Sequence, residues 1–308
     1  MHLEYAVEPE ALTANWERFR YLIEKFGFDK GRLISRFPKK WEASVYELVK
    51  KSDMSDGEKK KAVEKLRMAK HVAVVRSGRL YQPEISWLLN AAQQPVGSEF
   101  HAILASENPN NFNNVIVASE LDDGHPLFTV STSINVPLND EGISNSIWPT
   151  MSQAKNIAIV DPYFQVTTTR YASPLILTLQ KMHSAGAREK VVHIHCRNGG
   201  EPDRQAFSQN ILALFENRIP ESFKIKIFEW ERRQGGPNFH VRCVLCDCGG
   251  IQSDAGFGSS NAGDVTLMTL LSTPTIEAML SRFNPESPAY ELCRPPITIF
   301  DDCTIDFG

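Results

Sequence analysis

Nothing in this 308-residue chain marks it for a membrane or for export. No run of apolar residues approaches the roughly 18 that a bilayer-crossing helix needs. The opening "MHLEYAVEPEALTANWERF" has neither the basic start nor the apolar stretch of a leader peptide. A cytoplasmic protein without membrane contact is therefore expected. Cysteine is scarce, six residues in all, and without an export signal they are expected to be reduced thiols rather than a disulfide framework. Glycine-rich nucleotide loops are missing as well. Neither a P-loop nor a dinucleotide fingerprint occurs, and "RNGGEPD" at 197–203 is too poor in glycine to replace one. Low-complexity tracts and internal repeats are also absent, which excludes solenoids and disordered scaffolds.

What is present is an ordinary globular composition, 42% hydrophobic and 23% charged, over a length that suits two domains. The formal net charge of -4 is unevenly spread. Residues 30–79 hold fifteen Lys or Arg against six Asp or Glu, an excess of nine positive charges that leaves the remainder at -13. Such asymmetry suits either a polyanion-facing region or a solvated helical surface. Lys59, Lys60, Lys61, Lys65 and Arg67 form its densest part and are the candidate nucleic-acid contacts.

In "PEALTANWERFRYLIEKF" (9–26), Leu12, Trp16, Phe19, Leu22, Ile23 and Phe26 recur at helical spacing, and Gly27 follows as a stop. Further helices are expected at about 40–51 and 56–69, the latter opening with Ser55 three residues before Glu58 in capping-box spacing. From about Val72 the pattern changes to short β-like pieces with one helical piece near Trp87. The region 1–138 is thus expected to be helical and basic, then α+β. After 138, "NIAIVDPYF" (156–164), "KVVHIHC" (190–196) and "KIKIFEW" (224–230) alternate with helical segments near 173–185 and 202–217. That rhythm predicts an α/β domain over 139–308 with parallel strands covered by helices. Ligands in such sheets sit beyond the carboxyl ends of the strands, near Asp161, His193, His195, Glu229 and Glu231.

The stretch 238–261, "NFHVRCVLCDCGGIQSDAGFGSSN", concentrates reactive residue types. Cys243, Cys246 and Cys248 superficially match zinc-ligand spacing. Period-2 alternation argues otherwise: Phe239, Val241, Cys243 and Leu245 share one strand face, while His240, Arg242, Val244 and Cys246 share the other. Two of the three thiols then point apart, and "CVLC" contains no turn-forming residue to bring them together. "GSSNA" is a poor serine-hydrolase elbow, since Ala262 stands where glycine belongs. The same alternation sets His240 and Arg242 side by side, where an imidazole and a guanidinium can reach one phosphate, with Gly, Ser and Asn donors following.

His240-x-Arg242-x4-Asp247 followed by Gly258-Ser259-x-Asn261 resembles the HKD motif of the phospholipase D superfamily, and "IVDPYF" (159–164) resembles the opening core strand of bacterial members. The resemblance covers roughly residues 150–308. It implies a phospholipase D-like mixed sheet flanked by helices and metal-independent phosphodiester chemistry without a cofactor. His240 would be the nucleophile, Arg242 the phosphate clamp and Asp247 the motif acid. Ser259 and Asn261 would be the phosphate-side donors. Arg242 replaces the family's lysine, ten residues separate Asp247 from Gly258, and only one such motif occurs. A single motif implies a site completed across a homodimer. The activity implied is a nuclease acting on DNA or RNA. The H-x-R form with a following Gly-Gly also resembles degenerate members that bind without hydrolysing. The alternative is therefore a binding or scaffold subunit of a larger nucleic-acid-directed complex, such as a prokaryotic defence assembly.

Overall fold

The computed structural model describes residues 1–308 and divides into two units, 1–132 and 133–308. Both are α/β. The division falls a few residues before the expected 138/139 boundary, because Ser133–Pro137 is a strand of the second sheet.

The first unit is built on five parallel strands: β1 (Leu3–Val7), β2 (Arg32–Arg36), β3 (Val74–Arg76), β4 (Ala102–Ala105) and β5 (Val115–Val117), in the order β3-β2-β1-β4-β5. Helices α1 (Pro9–Thr13), α2 (Trp16–Ile23), α3 (Trp41–Lys51) and α4 (Asp56–Val72) bury Leu12, Phe19, Trp41, Val45 and Leu66 in one apolar cluster with Tyr5, Ile34 and Leu104 of the strands. Helix α5 (Trp87–Ala92) adds Leu88 and Ala91 to a second cluster with Ala6, Phe37 and Ile103.

This corrects the expectation of a helical, then α+β, region. β1 and β2 are only five residues long and lie among strong helical stripes, so local periodicity hid them. The single helix expected over 9–26 is two, since the extended Asn15 caps α2 by accepting a hydrogen bond from the Arg18 N–H at 2.9 Å. The capping box at Ser55 and Glu58 is present and opens α4.

The second unit carries a ten-stranded mixed sheet. Its strands are β6 (Ser133–Pro137), β7 (Ile157–Val160), β8 (Val191–Arg197), β9 (Lys224–Arg232), β10 (Cys243–Cys246), β11 (Gly250–Ser253), β12 (Val265–Leu271), β13 (Tyr290–Leu292), β14 (Ile297–Ile299) and β15 (Ile305–Asp306). The path runs β15-β14-β9-β8-β7-β10-β11-β12-β6, with β13 paired to β9. Only β7, β8 and β9 are mutually parallel. The helices are α6 (Asp140–Gln153), α7 (Thr169–Ser184), α8 (Arg204–Phe215) and α9 (Thr273–Leu280).

On one face, Phe239, Cys243, Leu245 and Trp230 pack with Ile276 of α9 and with Phe283 and Tyr290. Each such side chain contributes roughly 1.5–3 kcal/mol by leaving water. No helix is long and apolar enough to cross a membrane.

Candidate functional site

β7 runs parallel to β8 and antiparallel to β10, with Cys243 opposite Val160. This register places Arg242 next to Asp161, the residue directly after β7. Asp161 is 1% exposed. Its Oδ1 accepts the Tyr163 N–H at 3.0 Å and its Oδ2 the Phe257 N–H at 3.3 Å. Burial raises this carboxyl above the usual aspartate value; the two backbone donors and then Arg242 and Arg170 pull it back down. Gly256, at φ 89°, closes over it, and a Cβ there would lie 2.3 Å from Asp161 Oδ2 and 3.0 Å from Arg242 Cδ. Only glycine permits that approach and that backbone angle.

Arginines surround this point. The Arg242 guanidinium lies 5.2 Å from the centroid of the Tyr163 ring, and that of Arg197, from the end of β8, lies 5.4 Å from the same ring. Both donate to backbone carbonyls, Arg242 to Asp254 at 2.8 Å and Arg197 to Phe239 at 2.8 Å, so neither charge is consumed by a carboxylate through these bonds. Arg170, near the start of α7, sits against Gly258, where a Cβ would meet its Nε at 2.8 Å.

The expected alternation holds. Phe239, Val241, Cys243 and Leu245 join one apolar cluster, while His240 and Arg242 stay out of it and Arg242 lies by Asp161. The strand itself begins at Cys243, so both stand in the segment just before it. His240 is exposed and Arg242 half-buried.

Beside this cluster a cavity of about 510 Å³ opens at the carboxyl ends of β7, β8 and β9, lined by Tyr163, Phe164, Cys196, Arg197 and Glu229 among others. Glu229 is half-buried, and its Oε2 lies 2.9 Å from Arg294 Nε. Burial raises its carboxyl, while Arg294 and the Gly199 N–H oppose the rise. Arg294 also binds Asn198 Oδ1 at 2.7 Å and the Gly200 carbonyl at 2.6 Å, which anchors the loop after β8.

Several expected site residues lie elsewhere. Asp247 does not join Arg242: it follows the far end of β10, where Cys246 pairs with Ile157, and its Oδ1 accepts the N–H groups of Lys155 and Asn156 at 3.0 and 3.3 Å. At a strand rise of about 3.4 Å per residue, the five positions from Arg242 to Asp247 span roughly 17 Å. The acid beside Arg242 is Asp161.

Ser259 spends both its N–H (2.9 Å) and its hydroxyl (3.2 Å) on the Arg170 carbonyl. Asn261 is exposed, beyond Ser260, whose N–H binds the Leu138 carbonyl. From this loop it is Gly256 and the Phe257 N–H that reach Asp161. Of the strand-end histidines, His195 is a core residue: its Nδ1 accepts the Trp230 indole N–H at 3.0 Å, its ring stacks on Phe228 at 4.9 Å, and burial holds its pKa down to about 3. His193 is half-buried and lowered by burial and then by Lys226.

The thiols of Cys243 and Cys248 face Met279 and the Thr150 carbonyl respectively, and burial pushes both up to about 12, as suits inert core cysteines. The basic segment belongs to the first unit. On α4 the buried stripe is Ala62, Leu66 and Ala69, so Lys60, Lys61 and Arg67 are turned to solvent. Part of its charge is spent locally, Lys65 on Glu24 at 2.5 Å and Arg67 on Glu64 at 2.7 Å.

Tyr163, Arg170 and Arg197 were not singled out by sequence reasoning, whereas a close backbone approach at Gly256 was expected from the sequence and is present. An aromatic directly after a strand end, and an arginine closing the next parallel strand, were the available signals.

No protein-family model matches the sequence, and no curated protein matches it. Among solved structures it is similar to that of TrmBL2, an archaeal chromatin protein whose structure is described as showing a novel mode of DNA binding. The identity is 12% and the TM-score 0.27, over 50% of this chain and 51% of that one. The match therefore spans about half the length of either protein. A likeness this slight carries no functional argument.

Proposed function

We propose that the second unit is a phospholipase D-like domain that engages a phosphodiester of DNA or RNA at the end of β7 and hydrolyses it without a metal, in a homodimer. The observation that supports this best is the convergence of Arg242 and Arg197 on the Tyr163 ring, with an exposed His240 two residues from Arg242. Two guanidiniums whose donors are only partly used can grip the non-bridging oxygens of a phosphate, bidentately where geometry allows. His240 would attack phosphorus to form a phosphohistidine. The same residue of a second copy would protonate the departing oxygen, and water would then release the phosphate. Lys59, Lys60 and Lys61 would supply contacts to the nucleic-acid backbone whose strength falls with salt.

A second reading is favoured by one observation: Asp247 is held at the other end of β10 from Arg242, and Ser259 spends both its donors on the Arg170 carbonyl. A site short of these groups suits a subunit that binds nucleic acid within a larger complex and does not cut it. Purified protein incubated with labelled single- and double-stranded nucleic acid in excess EDTA separates the two. Cleavage that survives chelation and disappears in His240→Ala supports the hydrolase. Binding that is lost in Arg242→Ala, with no cleavage by the unaltered protein, supports the binding subunit. Neither binding nor cleavage would overturn both.

A further inference from the structure

Asp161 lies beside the phosphate-gripping arginines and takes no part in the chemistry assigned to His240. The residue is 1% exposed and roofed by Gly256, so it cannot touch a substrate. Its hydrogen bonds come from neutral groups, the N–H of Tyr163 and of Phe257, while Arg242 and Arg170 act on it through space. One point, the Cβ position at Gly256, lies 2.3 Å from Asp161 Oδ2 and 3.0 Å from Arg242 Cδ, which shows how near the acid stands to that side chain. Arg242 is half-buried and Arg170 exposed, so the arginines meet solvent and the acid does not. The other titratable groups packed around Asp161 stay neutral. Burial pushes Cys196 of β8 and Cys243 of β10 up to about 12, raises Tyr171 of α7 and holds His195 of β8 down to about 3. Residues 255–258, which close over the carboxylate, carry no ionisable side chain. Burial raises Asp161 itself, which brings its ionisation toward neutral pH.

We propose that Asp161 sets the affinity of the site for a phosphodiester: ionised, it cancels part of the arginine charge, and protonated, it leaves that charge to the diester. This rests on the phosphodiester reading for the placement of the anion at Arg242. At an effective dielectric of about 20, removing one unit charge about 10 Å from a singly charged anion raises its affinity about tenfold. By linkage, binding of the diester draws a proton onto Asp161. The site therefore holds its ligand more tightly as pH falls and releases it as pH rises.

Calorimetric titration of the full chain with dithymidine monophosphate, a diester whose single charge stays constant over the acid-to-neutral range, tests the assignment, with thymidine as the control that lacks phosphate. His240→Ala serves as the background, since it removes the neighbouring imidazole together with any cleavage. In that protein the dinucleotide should bind about tenfold more tightly at about pH 5 than at about pH 8, and buffers of different ionisation enthalpy should show a proton taken up on binding. Asp161→Asn in the same background should bind with the acid affinity at both pH values and take up none. Proton uptake is measured with residue 161 unaltered, so it decides the matter even where the Asn variant does not fold. Constant affinity without proton uptake in the His240→Ala protein would overturn the role of Asp161. So would an unchanged pH slope, or a loss of affinity equal at every pH, in folded Asp161→Asn. If the dinucleotide binds without pH dependence and Arg242→Ala weakens it, the phosphodiester reading stands and only the role of Asp161 fails. If it binds no better than thymidine at either pH, the phosphodiester reading fails and the role of Asp161 falls with it.

Discussion

Replacing Gly256 by alanine tests the architecture of the site most directly. The new methyl carbon would lie 2.3 Å from Asp161 Oδ2 and 3.0 Å from Arg242 Cδ, on a backbone held at φ 89°. Positive φ costs an L-residue roughly 1–2 kcal/mol, and overpacking a filled site costs roughly 1–3 kcal/mol more. Asp161 cannot yield cheaply, because two backbone N–H groups hold its carboxylate. The expected destabilisation is therefore roughly 2–5 kcal/mol. A selective probe exists, since all six cysteines lie in the second unit, and Cys196, Cys243, Cys246 and Cys248 are buried. Thiol labelling under native conditions thus reports the opening of that unit alone. At 1.36 kcal/mol per factor of ten, the protected thiols of Gly256→Ala should label at least about thirtyfold faster than those of the unaltered protein. A change of less than about threefold would refute the close packing of Gly256, Asp161 and Arg242.

Three further outcomes are expected. Because burial lowers His195 from 6.5 to about 3, the unfolded chain binds a proton there that the folded chain does not, so stability present above 6.5 is lost as pH falls toward 3. His195→Gln, which keeps an acceptor for the Trp230 N–H, should reduce this slope by up to about 1.4 kcal/mol per pH unit in labelling experiments; an unchanged slope would contradict the buried neutral ring. Asp161 and Glu229 act in the opposite sense, their contribution being present at low pH and lost as pH rises through their raised folded values. Ser55→Ala should cost the first unit about 1 kcal/mol by removing the cap of α4, measurable by urea unfolding followed by circular dichroism, and no loss of stability would argue against the capping box. Changing Lys59, Lys60 and Lys61 together to alanine should flatten the salt dependence of nucleic-acid affinity by up to about three phosphate contacts; an unaltered slope would make the segment a solvated surface only.

Where helices have a clear start signal and a regular apolar stripe, the sequence located them well, as at Ser55 for α4 and along α3. Helix α6 was not expected. Asn139 caps it by accepting the Gly142 N–H at 2.7 Å, but Pro149 and several Ser and Asn residues inside it blur the helical period. The parallel character of the first unit was equally hidden. Pairing of β1 with both β2 and β4 joins segments about thirty and a hundred residues apart, and no local pattern records it.

Strand alternation, by contrast, correctly grouped Phe239, Val241, Cys243 and Leu245 in one apolar cluster without His240 or Arg242. Spacing failed for Asp247, because position along the chain says nothing about which end of a strand a residue stands beside.

By itself the sequence determined the strongest local periods: the coiling of α2, α3 and α4, the extension of β7, β8 and β9, and the apolar grouping along 239–245. Those follow from apolar spacing against the geometry of one helix or one strand. Only the tertiary structure decided that the acid beside Arg242 is Asp161, that Arg197 shares Tyr163 with it, and that Gly256 closes over both. These contacts depend on strand register and on the antiparallel approach of β10 to β7, which are set by the fit of whole surfaces packed together and not by neighbours in the chain.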